Sequence, residues 1–185
     1  ELQAKLGEAM KAFGKAAWYY EWKAASKIAM ARLHSREGRL SQALECLKHA
    51  QIGASDANTI YTMRAAILRH LGKNEEAKRE AEKVLESDPL DIWARFEATN
   101  YEPNDIQARI DLALELKACG FEDDAQQILI REENRHPIVN LLLGKRADCA
   151  DPIQGLFPNR LAELKTLEDG VRRHPDDVAA RALLG

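Results

Sequence analysis

Five histidines, three cysteines, two Asp-Asp pairs and scattered arginines are the side chains of this 185-residue chain with the chemistry to catalyse or bind. Proton transfer or metal binding needs such groups to converge. Within the set His34, His49, His70, His136 and His174 no two stand three or four residues apart, so no helical metal clip and no metal site are expected. His136 and His174 each precede a proline, in "RHP", and read as helix-terminal structural residues. His49 follows Cys46 by one helical turn in "CLKH". A histidine there could activate a thiol, but the expected reading is a structural or exposed pair. Asp123-Asp124 and Asp176-Asp177 stand at helix starts, where acids complement the helix dipole, and are not expected to form a catalytic dyad. The glycines are isolated, so no phosphate-cradling loop is present. No catalytic residue and no cofactor are expected.

Binding offers more. "AAWYYEW" places Trp18, Tyr19, Tyr20 and Trp22 within five positions of a chain with only 3 Trp, 4 Tyr and 4 Phe. Trp18 and Trp22 are four apart and would share a helix face. The expected reading is that both tryptophans wedge between adjacent helices. The alternative is a platform for sugar stacking or peptide binding, with Tyr19 or Tyr20 as the exposed contact, because rigid amphipathic aromatics suit interfaces.

Composition bounds the partner. The chain is 45% hydrophobic and 31% charged, which is globular, and its net charge is −3 with both signs interspersed. The absence of a basic stripe argues against nucleic acid. No apolar run approaches 18 residues, so no membrane span is expected. Cys46, Cys119 and Cys149 are odd in number and far apart, which disfavours a disulfide framework and favours a reducing, cytoplasmic setting.

The elements that would position these residues come from an internal repeat. "GRLSQALECLKHA" aligns with "GKNEEAKREAEKV" at an offset of 34, matching Gly38 to Gly72, Ala43 to Ala77, Leu47 to Ala81 and Ala50 to Val84. The same step back reaches Ala9, Phe13 and Ala16. An offset of 48 carries Gly72, Ala77 and Pro89 to Gly120, Ala125 and Pro137, and a weaker copy ends at Pro175. Gly38, Gly72 and Gly120 suit left-handed helix C-caps. Ala9, Ala43, Ala77 and Ala125 are small where two helices would cross, and Ala31, Ala65 and Ala113 recur on the preceding helices. Pro89, Pro137 and Pro175 would end one helix and enter the first turn of the next. Helices are predicted near 3–17, 20–36, 40–52, 55–71, 74–87, 89–99, 104–119, 122–134, 137–147, 158–173 and 176–185. The chain is divided into a first repeat block at 1–88, an inserted helix and turn at 89–103, and a second block at 104–185 whose last repeat is truncated. Together they are expected to form one continuous solenoid.

A 34-residue period with glycine, alanine and proline at these spacings resembles the tetratricopeptide repeat. That resemblance implies an all-α solenoid of antiparallel helix pairs in a right-handed superhelix, here with one extra helix breaking the repeat. "EAMKAFGKAAWYYEWKAASKIAMARL", "GRLSQALECLKHAQ" and "FPNRLAELKTLEDGVRRHPDDVAARALLG" are also similar to the helical-repeat region of large bacterial proteins with an N-terminal domain of unknown function, suspected to be carbohydrate-related. The resemblance implies a non-catalytic scaffold binding a protein or peptide in a concave groove lined by the first helix of each unit. Arg32, Arg36, Arg64, Arg69, His70, Arg109 and Lys117 fall on those helices, and Arg32, Arg36, Arg69, His70 and Lys117 are the candidate partner-binding residues. Some family members grip a terminal carboxylate with lysine and asparagine one turn apart; Ile28 and Arg32 stand at those positions, which argues against that clamp. Alternative roles are a spacer packing on other domains of a parent chain, or a carbohydrate surface built on the Trp-Tyr cluster. The chain lacks an initiator Met and ends in "VAARALLG", as expected of an excised fragment. Its ends would then leave Leu2, Leu6 and Met10 short of contacts, while Val178, Leu183 and Leu184 pack in part on 158–173 with their far face unpartnered. End-to-end self-association, or fraying of the termini, is the expected consequence.

Overall fold

The computed structural model describes residues 2–19, 22–50, 57–148 and 160–185. Among them the chain forms eleven α-helices, one 3-10 turn and no strand, so it is all-α. The helices are α1 (Leu2–Ala16), α2 (Lys23–Arg36), α3 (Leu40–Lys48), α4 (Ala57–His70), α5 (Asn74–Ser87) and α6 (Ile92–Thr99), then α7 (Ile106–Ala118), α8 (Glu122–Leu129), α9 (Pro137–Leu142), α10 (Leu161–Arg173) and α11 (Val178–Leu184). No helix among the described residues is long and apolar enough to cross a membrane. Two compact units arise: Glu1–Glu102 with Lys117–Phe121, and Pro103–Leu116 with Glu122–Gly185.

In the first unit each helix packs on the next from α1 to α6, and α6 also reaches α4. The repeat alanines explain how. Ala43 and Ala77 are 0% and 2% exposed at the crossing points, and Leu47, Ala50, Ala81 and Val84 follow them into the core. On the preceding helices Ala31 and Ala65 are fully buried. A residue without a γ-carbon lets two helices approach closely, and a larger side chain there would overpack the site. Ala65, Ala81, Val84 and Ala94 form one cluster, flanked by Tyr61, Leu85 and Ala98. Ala9 departs from this expectation and is only half-buried, because α1 stands first in the stack and packs mainly on α2.

The second unit repeats the scheme less regularly. Ala113 and Ala125 are buried, α9 packs on α10, and α10 on α11. Twelve residues before Pro89 and Pro137 stand Ala77 and Ala125; twelve before Pro175 stands Glu163. Glu163 is nevertheless buried, and Gln107 Nε2 donates to its carboxylate at 2.8 Å. Gly170 supplies the close approach instead: a Cβ there would lie 2.6 Å from Leu141 Cδ2. Val178, expected to pack, is 77% exposed, and Ala180 is the residue of α11 that is buried.

The prolines divide. Pro137 enters the first turn of α9, as predicted, with His136 as N-cap. Pro89 and Pro175 lie instead in turns ahead of their helices, which are capped by Asp91 and Asp177 through hydrogen bonds from Ala94 N at 2.8 Å and Ala180 N at 3.0 Å. An aspartate side chain satisfies an orphan amide that proline cannot. α8 and α9 fall furthest short of their predicted ends. α8 tightens into a 3-10 turn at Ile130–Glu132, and α9 stops at Leu142 because Gly144, at φ +78°, caps it.

Candidate functional site

The junction of α1 and α2 is a turn. Trp18 N donates to Lys15 O, Tyr19 N to Ala16 O, and Trp22 N to Tyr19 O. With helix broken between them, Trp18 and Trp22 share no helix face and do not wedge between helices. Trp18, Tyr19 and Trp22 are 85%, 70% and 60% exposed. The packing reading of both tryptophans is therefore wrong. Tyr20 lies outside the described residues.

The arginines separate by their carboxylate partners. Arg69 was expected to face a partner, but its Nε and Nη2 donate to Glu97 at 2.7 and 3.1 Å, and its guanidinium lies 5.5 Å over the Phe96 ring. Trp93 Nε1 donates to the same carboxylate at 3.0 Å. The Glu97 side chain is fully buried. A buried carboxylate must be paired and hydrogen-bonded to remain charged, so Arg69 serves the fold. Arg64 pairs with Glu80 at 3.2 Å. Arg109 is buried and donates to Pro103 O and, at 2.7 Å, to Glu132, tying α7 to the 3-10 turn of the second unit.

Three of the remaining cationic candidates converge. Gly120 lies against α2 so closely that a Cβ on it would sit 2.7 Å from Arg36 Cα. The next residue, Phe121, is buried and stacks on His70, with ring centroids 4.1 Å apart and planes 6° from parallel. Gly120 N donates to Lys117 O at 3.0 Å. The C-terminal ends of α2, α4 and α7 thus meet at Gly120–Phe121, within the first unit, and bring Arg36, His70 and Lys117 to one edge. Arg36 and His70 are exposed there, Lys117 is half-buried, and Arg32 is half-buried one turn before Arg36. Ile28, four residues before Arg32, is buried. Cations at helix C-termini also complement the negative end of the dipole. Gly120 was legible as a repeat glycine; the ring that joins it, Phe121, carried no comparable sequence signal.

The other reactive groups have structural posts. Cys46 is buried and burial pushes its thiol up, the wrong direction for a nucleophile. His49 Nε2 pairs with Glu45 at 2.8 Å, and that hydrogen bond is the main reason the Glu45 carboxyl lies below its ordinary range. Cys119 is fully buried; Cys149 lies outside the described residues. His136 is buried and its Nδ1 accepts from Ile138 N at 3.2 Å. Burial holds the His136 ring below the usual imidazole range. Asp177 accepts from both Ala180 N and, at 2.7 Å, Ala147 N, while Asp176 pairs with Arg146 at 3.0 Å.

No curated protein and no solved structure matches the chain. Residues 59–89 match the family model of the tetratricopeptide repeat. They span α4, the Gly72 turn and α5, the helix pair whose crossing is made by Ala65, Ala77 and Ala81. Repeats of this kind are generally protein-interaction modules, which gives the chain the coarse role of an interaction scaffold. Residues 59–89 of the chain therefore carry a tetratricopeptide-repeat unit.

Proposed function

We propose that the chain is a non-catalytic scaffold module that captures an acidic segment of a partner protein, or of another domain of its parent chain, along the edge where α2, α4 and α7 end. The observation that supports this reading is the meeting of those three ends at Gly120–Phe121, which brings Arg36, His70 and Lys117 to one edge. Arginine binds carboxylates through two parallel donors, and lysine adds a point charge. His70 keeps its ring oriented by stacking on Phe121. Arg32 lies one turn back along α2 and extends the basic surface. Arg69 has no part in it, because Glu97 holds its guanidinium. Titration of a fluorescein-labelled Asp/Glu-rich decapeptide, followed by anisotropy, tests the reading. Arg36→Ala with Lys117→Ala should weaken binding roughly tenfold or more at unchanged helicity. Equal affinity of wild type and double variant would sink it.

A second reading has its own observation, the exposure of Trp18, Tyr19 and Trp22. Exposed aromatic rings stack on sugars as well as on peptides. Titrating intrinsic tryptophan emission with oligosaccharides, against Trp18→Ala and Trp22→Ala variants, separates this from the acidic-segment reading. Emission unchanged at saturating sugar dismisses the carbohydrate role.

A further inference from the structure

A different surface, in the second unit, lies along α8. Asp123, Gln126 and Gln127 stand at i, i+3 and i+4 on one side of the helix, Ile130 follows in the 3-10 turn, and Ala125, Ile128 and Leu129 take the buried side. Opposite them are Leu143 and Lys145, on either side of the glycine that ends α9. Together these six residues line an open cleft of about 480 Å³, within the roughly 300–1,000 Å³ of small-ligand sites. The cleft owes its second wall to an irregularity. After Gly38, Gly72 and Gly120 the next helix begins two residues on, at Leu40, Asn74 and Glu122. After Gly144 no helix follows directly, and Lys145 stands at the rim as a loop residue.

The polarity of the lining selects the ligand. Lys145 is already held by Glu133 in an ion pair. Asp123 is exposed, flanked by Glu122 and Asp124 in the first turn of α8, and neither it nor Gln126 or Gln127 has a side-chain partner among the described residues. Ile130 is 52% exposed although apolar. The cleft therefore offers one unmatched negative charge, two amides that both donate and accept, and an apolar wall.

We infer that this cleft takes a short extended peptide segment of a partner, carrying a lysine or arginine beside an apolar side chain. Asp123 receives the cation, Gln126 and Gln127 bond the peptide backbone, and Ile130 with Leu143 contacts the apolar group. The inference is independent of the basic edge in the first unit, which would select the opposite charge.

Fluorescein-labelled Gly-Leu-Arg-Gly and Gly-Leu-Glu-Gly peptides, titrated into the whole chain and followed by anisotropy and amide NMR, test it. The arginine peptide should bind with shifts confined to residues 123–130 and 143–145. Asp123→Asn should weaken it roughly fivefold, and Ile130→Ser should also weaken it, with circular dichroism unchanged. Glu168→Gln, exposed on α10, serves as the control and should leave the affinity unchanged. Equal binding of the two peptides, shifts elsewhere, no saturation at about millimolar peptide, or an Asp123→Asn variant with wild-type affinity would each overturn the inference. Binding of the glutamate peptide alone, with shifts at Arg36 and Lys117, would overturn it while supporting the basic edge.

Discussion

Adding one methyl group at Gly120 separates two costs that coincide there. Gly38, Gly72 and Gly120 all hold positive φ, at +73°, +76° and +85°. A side chain in the left-handed region costs roughly 1–2 kcal/mol, so alanine at any of the three should cost about that much. At Gly38 and Gly72 nothing lies within 4 Å of an added Cβ. At Gly120 the methyl would meet Arg36 Cα at 2.7 Å, Arg36 Cγ at 3.2 Å and Arg36 N at 3.3 Å. The nearest of these atoms is backbone, so the end of α2 must move, and overpacking of that kind adds roughly 1–3 kcal/mol. Gly120→Ala should therefore cost about 2–5 kcal/mol. With a urea slope near 2 kcal/mol/M, the midpoint falls about 1–2.5 M for Gly120→Ala and about 0.5–1 M for Gly38→Ala or Gly72→Ala. Asparagine tolerates the left-handed region better than alanine. Gly72→Asn should thus recover most of its loss, while Gly120→Asn should not. Equal midpoints for the three alanine variants would refute the close approach of Gly120 to Arg36, and with it the edge on which the proposed function rests.

Arg69→Ala leaves Glu97 buried without its counter-charge and should cost roughly 3–5 kcal/mol; a thermal midpoint within a degree or two of wild type would show that the pair is not structural. For the exposed aromatics the expectation is the reverse. Trp18→Ala and Trp22→Ala should change stability by no more than about 0.5 kcal/mol, whereas a wedged tryptophan would cost about 3–5 kcal/mol, and urea melts distinguish the two. His136 has a folded-state pKa below its ordinary value of 6.5, so the unfolded chain binds more protons in the interval between them. Its contribution is fully present above pH 6.5 and is lost as pH falls through the lower folded pKa. His136→Asn keeps an N-cap that does not titrate and should flatten the loss of stability between pH 7 and 5; an unchanged slope would exclude His136 as its source.

Local chemistry determined the elements. The 34-residue period, the glycines at Gly38, Gly72 and Gly120 and the crossing alanines were legible in sequence, because a left-handed cap depends on one residue's φ and a helix face on a short spacing. The same locality explains His136 as a cap and the acids at the starts of α8 and α11. Tertiary structure decided which charged and aromatic groups remain at the surface. Arg69 and Arg36 occupy equivalent-looking helix ends, and only the fold brings Glu97, 28 residues away, to the first and Gly120 to the second. Trp18 and Trp22 have the spacing of a packed pair, yet the turn between α1 and α2 removes the helix that would have made the spacing meaningful. The cleft on α8 needed Leu143 and Lys145 brought opposite it by an early stop at Gly144. A side chain's partner is set by distance in space, and the free energy of burying or exposing a charge depends on that partner more than on the residue's own type.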